Sequence, residues 1–185
     1  MSRDVTAGVI VRVVTGPAQR PLLFLDVDGP LIPFGAPPPH GYPIHGPAAT
    51  GANPLLARID PAHGRRLAAL QCDLVWATTW MDDANDCVAP RLGLPRLPVV
   101  RWPEPSDVDA LDAWNGLHGK TRTLVGWAAG RPFAWVDDEL TDADRAWVAA
   151  HHRGHALLQR VDPGQGLGDA DYAALEEWSR RVSGL

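Results

Sequence analysis

An α/β fold is predicted for this chain, with a mainly parallel sheet of about five strands and helices on both faces. Two observations predict it. Five short apolar runs alternate with capped, amphipathic stretches, and three of those runs end abruptly in polar clusters, Asp26/Asp28, Thr78/Thr79 and Asp137/Asp138. Right-handed crossovers between parallel strands bring all the carboxyl ends to one rim, where such sheets bind their ligands.

The elements follow in order. Residues 21–25 are continuously apolar and stop at Asp26-Val27-Asp28-Gly29, as suits a strand buried on both faces. From 30 to 54 the composition turns to Pro, Gly, His and Ala, with Pro37-Pro38-Pro39 at the centre, which predicts a long ordered loop, here a flap at about 30–59. Asp60-Pro61 starts a helix that carries Leu67 and Leu70 and runs to about Gln71. Residues 73–77 form a second strand ending in Thr78-Thr79, and a helix follows through Ala84, Cys87 and Val88. A third strand is expected at 97–102, then a Ser106-capped helix bearing Val108, Leu111 and Trp114, and another helix at 121–129. Residues 132–136 are the fourth strand, ending in Asp137-Asp138-Glu139; Thr141 and Asp144 cap the next helix. The fifth strand is expected at 156–161, and Tyr172, Leu175 and Trp178 lie at helical spacing in a final helix from about Asp169.

Size and composition bound the alternatives. With 185 residues, 45% hydrophobic and 21% charged, the chain can bury about two-thirds of its unfolded surface in one core. One domain is expected at 21–185. Residues 1–20 are expected to be an extension or an edge strand, since Val9-Ile10-Val11 is broken by Arg12 and is too short for a signal peptide or membrane span. The formal charge of −5 weighs against a non-specific nucleic-acid binder but leaves room for a local basic groove. Cys72 and Cys87 lie in no Cys/His ligand pattern, so a disulfide framework or zinc site is not indicated and a cytoplasmic location is expected.

Two carboxylates two residues apart at one strand end, facing a second pair at another, repel one another unless a cation intervenes. Mg²⁺ suits such oxygen donors, with waters and a substrate phosphate completing its shell. An ionised carboxylate can also take up a phosphoryl group covalently, while a neighbouring acid protonates the leaving oxygen and then deprotonates water. Asp26 and Asp28 can divide those tasks. Thr78 offers a hydroxyl and Lys120 a cation to hold a phosphate, although a lone lysine is more often a solvated surface residue.

The order of these residues along the chain carries a resemblance. Leu25-Asp26-Val27-Asp28-Gly29-Pro30-Leu31 resembles the DxDGxL first motif of the haloacid dehalogenase-like (HAD) superfamily. Ala77-Thr78 resembles its second motif, Lys120 its third and Val136-Asp137-Asp138-Glu139 its fourth, across about residues 20–165. The stretches Val75-Trp76-Ala77-Thr78-Thr79-Trp80, with Ala84-Asn85, and Ala128-Ala129-Gly130-Arg131-Pro132-Phe133-Ala134-Trp135-Val136-Asp137-Asp138-Glu139 resemble the HAD branch of Swiss-army-knife RNA repair proteins.

The resemblance implies a Rossmann-like three-layer sandwich, Mg²⁺ dependence and phosphoryl transfer through an aspartyl-phosphate. It implies Asp26 as nucleophile and metal ligand, and Asp28 as general acid/base whose backbone carbonyl also faces the metal. Thr78 is implied as phosphate ligand, with Thr79 as its substitute, and Lys120 as the cation steadying nucleophile and phosphoryl oxygens. Asp137 and Asp138 complete the metal site, with the direct ligand left open between them. Since dehalogenase members lack the second acid, Asp28 favours a phosphatase; Pro30 departs from the motif by stiffening its turn.

The short Pro-rich interval after the first strand leaves room for little or no cap domain. An RNA or DNA end or a nucleotide is the expected substrate, with a small-metabolite or sugar phosphate as the alternative and a HAD-like binding module without turnover as the second. Receiver modules share clustered Asp, Thr and Lys, but in another order along the chain. Trp80 and Trp102 follow strand ends and can stack on bases, whereas Trp76, Trp114, Trp127, Trp135, Trp147 and Trp178 are expected to pack in the core or between helices. His40 and His45 in the flap can contact substrate or assist proton transfer, with loop solvation as the preferred reading, and His151, His152 and His155 are assigned no ligand role. Arg58, Arg65, Arg66, Arg91, Arg96 and Arg101 are expected to be dispersed in local pairs rather than gathered in a groove.

Overall fold

The computed structural model describes residues 19–35, 37–39, 41–46 and 53–184. Apart from Gln19 and Arg20, the expected extension or edge strand at 1–20 lies outside the described residues, as does His40.

The four apolar residues of β1 (Leu22–Leu25) are all buried, which only a central strand covered on both faces allows. It pairs in parallel with β2 (Asp73–Trp76) on one side and β3 (Phe133–Asp137) on the other, and β3 pairs with β4 (Ala156–Arg160), giving the order β2-β1-β3-β4. The two-residue alternation of strand side chains divides the core. Leu23, Leu25, Ala134 and Val136 face α1 (Ala62–Ala69), α2 (Ala89–Leu92) and α6 (Asp169–Ser183), while Leu22, Phe24, Phe133 and Trp135 face α4 (Thr121–Ala128) and α5 (Asp142–His151). The result is a three-layer α/β/α sandwich of the Rossmann-like type.

The helix boundaries follow local chemistry. Asp60 accepts a hydrogen bond from the Ala62 amide at the start of α1, and Thr141 and Asp144 form a reciprocal capping box on α5. α1 crosses α2 so closely that a Cβ on Gly64 would overlap the Leu92 carbonyl oxygen. The helix expected after Thr79 is instead a π-helical turn, Ala84–Val88, running into α2. Pro90 has no N–H for an α-helical ladder, and the turn before it widens so that the Ala89 amide reaches the Ala84 carbonyl.

Among the described residues the sheet has four strands rather than about five. The segment expected as the third strand touches β2 through a single parallel bridge between Trp76 and Val99. Pro98 lacks the N–H that a ladder needs, and the Asn85 side chain takes both Leu97 backbone groups, accepting from its amide at 2.8 Å and donating to its carbonyl at 2.9 Å. The Asn85 carboxamide thus stands in for a strand neighbour.

The apolar residues of α3 (Asp107–Trp114) do not pack as expected. Its expected apolar face points to solvent, with Val108 51%, Leu111 60% and Trp114 88% exposed. The helix is attached on its other side by polar chemistry, through a bidentate pair between Asp112 and Arg122 of α4 at 2.5 and 2.8 Å. Trp127, also expected to pack in the core, is 38% exposed but keeps an edge contact with Phe24. No helix among the described residues is long and apolar enough to cross a membrane.

Candidate active site

The chain leaves β1, crosses to β2 on one side, and later places β3 on the other. The strand order therefore reverses between β1 and β3, and a crevice opens at their carboxyl ends. Asp26 follows β1 directly, while Asp137 ends β3 and Asp138 follows it.

Lys120 joins the two strands. Its Nζ donates to Asp26 Oδ2 at 2.6 Å and to Asp137 Oδ2 at 2.8 Å, and both bonds are buried. It is the only lysine in the chain, a composition signal that could have marked it as more than a surface cation. Burial works against the Lys120 charge, but the two carboxylates outweigh it and hold the ammonium above its ordinary value. The remaining Asp137 contacts come from Trp135 Nε1 at 3.1 Å and the Glu139 amide at 3.0 Å. Fully buried, Asp137 thus fixes Lys120 from behind.

Asp26 is held by a second donor, the Val27 amide at 2.7 Å from Oδ1. Burial pushes its carboxyl from an ordinary 3.8 to about 6, with Lys120 pulling down and the charge of Asp137 pushing up. Burial, reinforced by Asp137, likewise raises Asp138. Ligand oxygens of Asp26, Asp137 and Asp138 all lie within 4.8 Å of one another, an excess of buried negative charge that Lys120 alone does not cancel. This oxygen-only donor set fits a hard cation such as Mg²⁺.

The turn after β1 shapes this cluster. The Leu31 and Ile32 amides both donate to the Val27 carbonyl, and Gly29 has a φ of +81°. A Cβ on Gly29 would stand 2.6 Å from Asp138 Cγ, so glycine serves both the backbone turn and the approach of Asp138. Pro30 fits within the turn, and its carbonyl accepts from the Leu167 amide. Asp28 is half-buried, and its Oδ2 accepts from Trp80 Nε1 at 2.9 Å. Trp80 is thereby committed to Asp28 and to the apolar cluster beneath it.

A cavity of about 450 Å³ lies over these groups. Asp26, Asp28, Thr79, Lys120 and Asp138 line it, together with Phe34, Trp102, Pro103 and Pro105. Thr78 and Asp137 lie outside this lining. Thr78 is fully buried; its hydroxyl accepts from the Trp80 amide at 3.3 Å and its carbonyl accepts from Trp102 Nε1 at 3.1 Å.

Three contributors were not singled out from the sequence. Phe34 reaches the cavity from the flap, whose backbone is tied down by the Phe34 amide to Pro163 O and by Arg58 to Pro33 O. His118 Nδ1 accepts from the Lys120 amide, leaving Nε2 to donate to Glu139 at 3.1 Å. Buried Asp144 accepts from the His118 amide, Thr121 Oγ1 and Thr141, tying the starts of α4 and α5 together and setting where Lys120 emerges. Burial opposes its charge, but these hydrogen bonds hold its carboxyl below the ordinary value. No local sequence signal identifies Asp144 as more than an α5 cap.

The chain matches the family described as HAD domain in Swiss Army Knife RNA repair proteins over residues 22–172. No curated protein and no solved structure matches it significantly.

Proposed function

This chain belongs to the HAD domains of Swiss Army Knife RNA repair proteins, within a superfamily of phosphatase-type hydrolases, and on that premise we propose that it is a Mg²⁺-dependent phosphomonoesterase acting on nucleic-acid ends or nucleotides. The observation that carries the reading is the buried Asp26–Lys120–Asp137 bridge at the base of an open cavity, with Asp28 and Asp138 beside it.

In this reading an Asp26 carboxylate oxygen attacks phosphorus, and the bond from phosphorus to the leaving oxygen breaks. Asp28, oriented by Trp80, gives its proton to that oxygen. It then takes a proton from water, whose oxygen attacks phosphorus, breaks the aspartyl-phosphate bond and releases inorganic phosphate. Lys120 neutralises Asp26 and the incoming phosphoryl oxygens, and Asp137 holds Lys120 in place. Thr79, the one side-chain hydroxyl among the described residues that line the cavity, would bind the phosphate, with Thr78 buried behind it. Asp26 and Asp138 would hold Mg²⁺, which when bound offsets the repulsion between carboxylate and phosphate.

The test is phosphate release from phosphorylated RNA and DNA ends, nucleotides and sugar phosphates, with Mg²⁺ or EDTA. Asp26→Asn is expected to abolish release, by at least about a thousandfold, while circular dichroism shows the fold retained. Release at the parent rate by this variant would remove Asp26 as nucleophile. Selective turnover of a sugar phosphate would move the activity to small metabolites.

A further inference from the structure

The cavity lining is chemically mixed. Carboxylates and Lys120 share it with four apolar residues, Phe34, Trp102, Pro103 and Pro105. Trp102 is fixed by its Nε1 bond to the Thr78 carbonyl, so its indole plane is set before any ligand arrives. Phe34 is 40% exposed and belongs to a flap pinned through Pro163 and Arg58. Asp109 and Glu139 add carboxylates to the lining.

The charge of this lining narrows what it can hold. Among the described residues, Lys120 is the sole lysine or arginine lining the cavity, and Asp26 and Asp137 already engage it. Five of the six arginines considered for a basic track are tied elsewhere: Arg58 to the Pro33 carbonyl, Arg66 to Asp169, Arg96 to Asp86, Arg101 to Asp82 and Arg91 to the Cys87 carbonyl. A surface that follows a polynucleotide needs cations along the backbone, and this lining provides carboxylates instead. Planar apolar surface beside carboxylate acceptors complements a nucleobase, whose faces stack and whose exocyclic amino groups donate.

We propose that Phe34 and Trp102 are specificity-determining residues that hold the base of a single terminal nucleotide while its phosphate meets Asp26, so that the site reads one nucleotide and not the polymer behind it. The proposal rests on the phosphatase reading for its chemistry. A volume of about 450 Å³ suits one small ligand of that class. Trp80, the other tryptophan considered for stacking from the sequence, is excluded because it does not line this cavity.

The experiment compares kcat/KM in Mg²⁺ for a nucleoside monophosphate, an oligoribonucleotide with the same phosphorylated end, ribose phosphate and a phosphotyrosyl peptide. The mononucleotide and the oligonucleotide are expected within about threefold of each other, both at least about tenfold above ribose phosphate and the peptide. Raising salt from about 50 to 200 mM is expected to change the oligonucleotide value by less than about threefold, where a backbone-tracking enzyme loses orders of magnitude. Phe34→Ala and Trp102→Phe, each checked for folding by circular dichroism, should shrink the nucleotide-to-ribose-phosphate ratio, mainly through KM. Equal turnover of ribose phosphate, a preference for the peptide, or a strong salt-sensitive preference for the oligonucleotide would overturn the proposal.

Calorimetric titration of the Asp26→Asn protein with nucleoside monophosphate and with ribose phosphate separates the two readings. If no substrate is turned over but the nucleotide binds at least about tenfold more tightly, base recognition stands and the phosphatase reading falls. Equal affinities, or binding of neither, overturn base recognition.

Discussion

At Asp26, burial is the largest influence on the carboxyl, and it raises the group to about 6 from an ordinary 3.8 even with Lys120 2.6 Å away. Between those values the folded protein keeps a proton that the unfolded chain releases, so this group's contribution to stability in EDTA falls as pH rises through that window. Asp26→Asn removes the burden and leaves Lys120 its bond to Asp137. The variant is therefore expected to melt above the parent in EDTA at about pH 7, with the gap closing towards about pH 4. Thermal denaturation across that range checks it; a gap that widens on acidification would mean that Lys120, rather than burial, dominates the group. The same residue thus limits the stability of the metal-free fold and provides the proposed nucleophile.

Among the elements, α1 shows most clearly where local preference and packing disagree. Helix propensity alone favours Gly64→Ala by about 1 kcal/mol. A methyl group there would overlap the Leu92 carbonyl, however, and α1 would have to move off α2. The expected outcome is a net destabilisation of roughly 1–3 kcal/mol, read as a lower Tm or urea midpoint. A stabilised variant would show that the two helices separate freely. α3 presents the opposite case: its apolar spacing was legible in the sequence, but spacing states only that a stripe exists, not that a partner covers it. Its solvent-facing Trp114 and its polar attachment through Asp112 and Arg122 depend on how a short helix sits on α4. The missing fifth strand has a more local cause, since Pro98 was visible in the sequence, whereas capture of Leu97 by Asn85 required the fold.

Across the whole molecule, the acidic rim links metal binding to folding. A cation that binds only the native cluster of Asp26, Asp137 and Asp138 stabilises the entire domain, by about 1.4 kcal/mol at ten times its dissociation constant. For a chain of this size that corresponds to a rise in Tm of roughly 3–6 °C. Adding Mg²⁺ to EDTA-treated protein is expected to produce such a rise, and Asp138→Asn to reduce it; the readout is thermal unfolding and requires no turnover. An unchanged Tm across millimolar Mg²⁺ would count against the cluster as a cation site. The cost of gathering these carboxylates falls on the native state, where burial raises both Asp26 and Asp138.

The sequence by itself determined the α/β class, most strand and helix positions, the capping of α5 and the acidic ends of β1 and β3. These are local properties, set by apolar runs, period and cap chemistry within a few residues. Tertiary structure decided the rest. Strand order placed β1 beside β3, and packing of α4 brought Lys120 to Asp26 across 94 positions of sequence. It also turned Trp80 towards Asp28, brought Phe34 and Trp102 to one cavity and left Trp114 in solvent. No local pattern encodes those separations, because they are fixed by which faces of the sheet and helices bury one another.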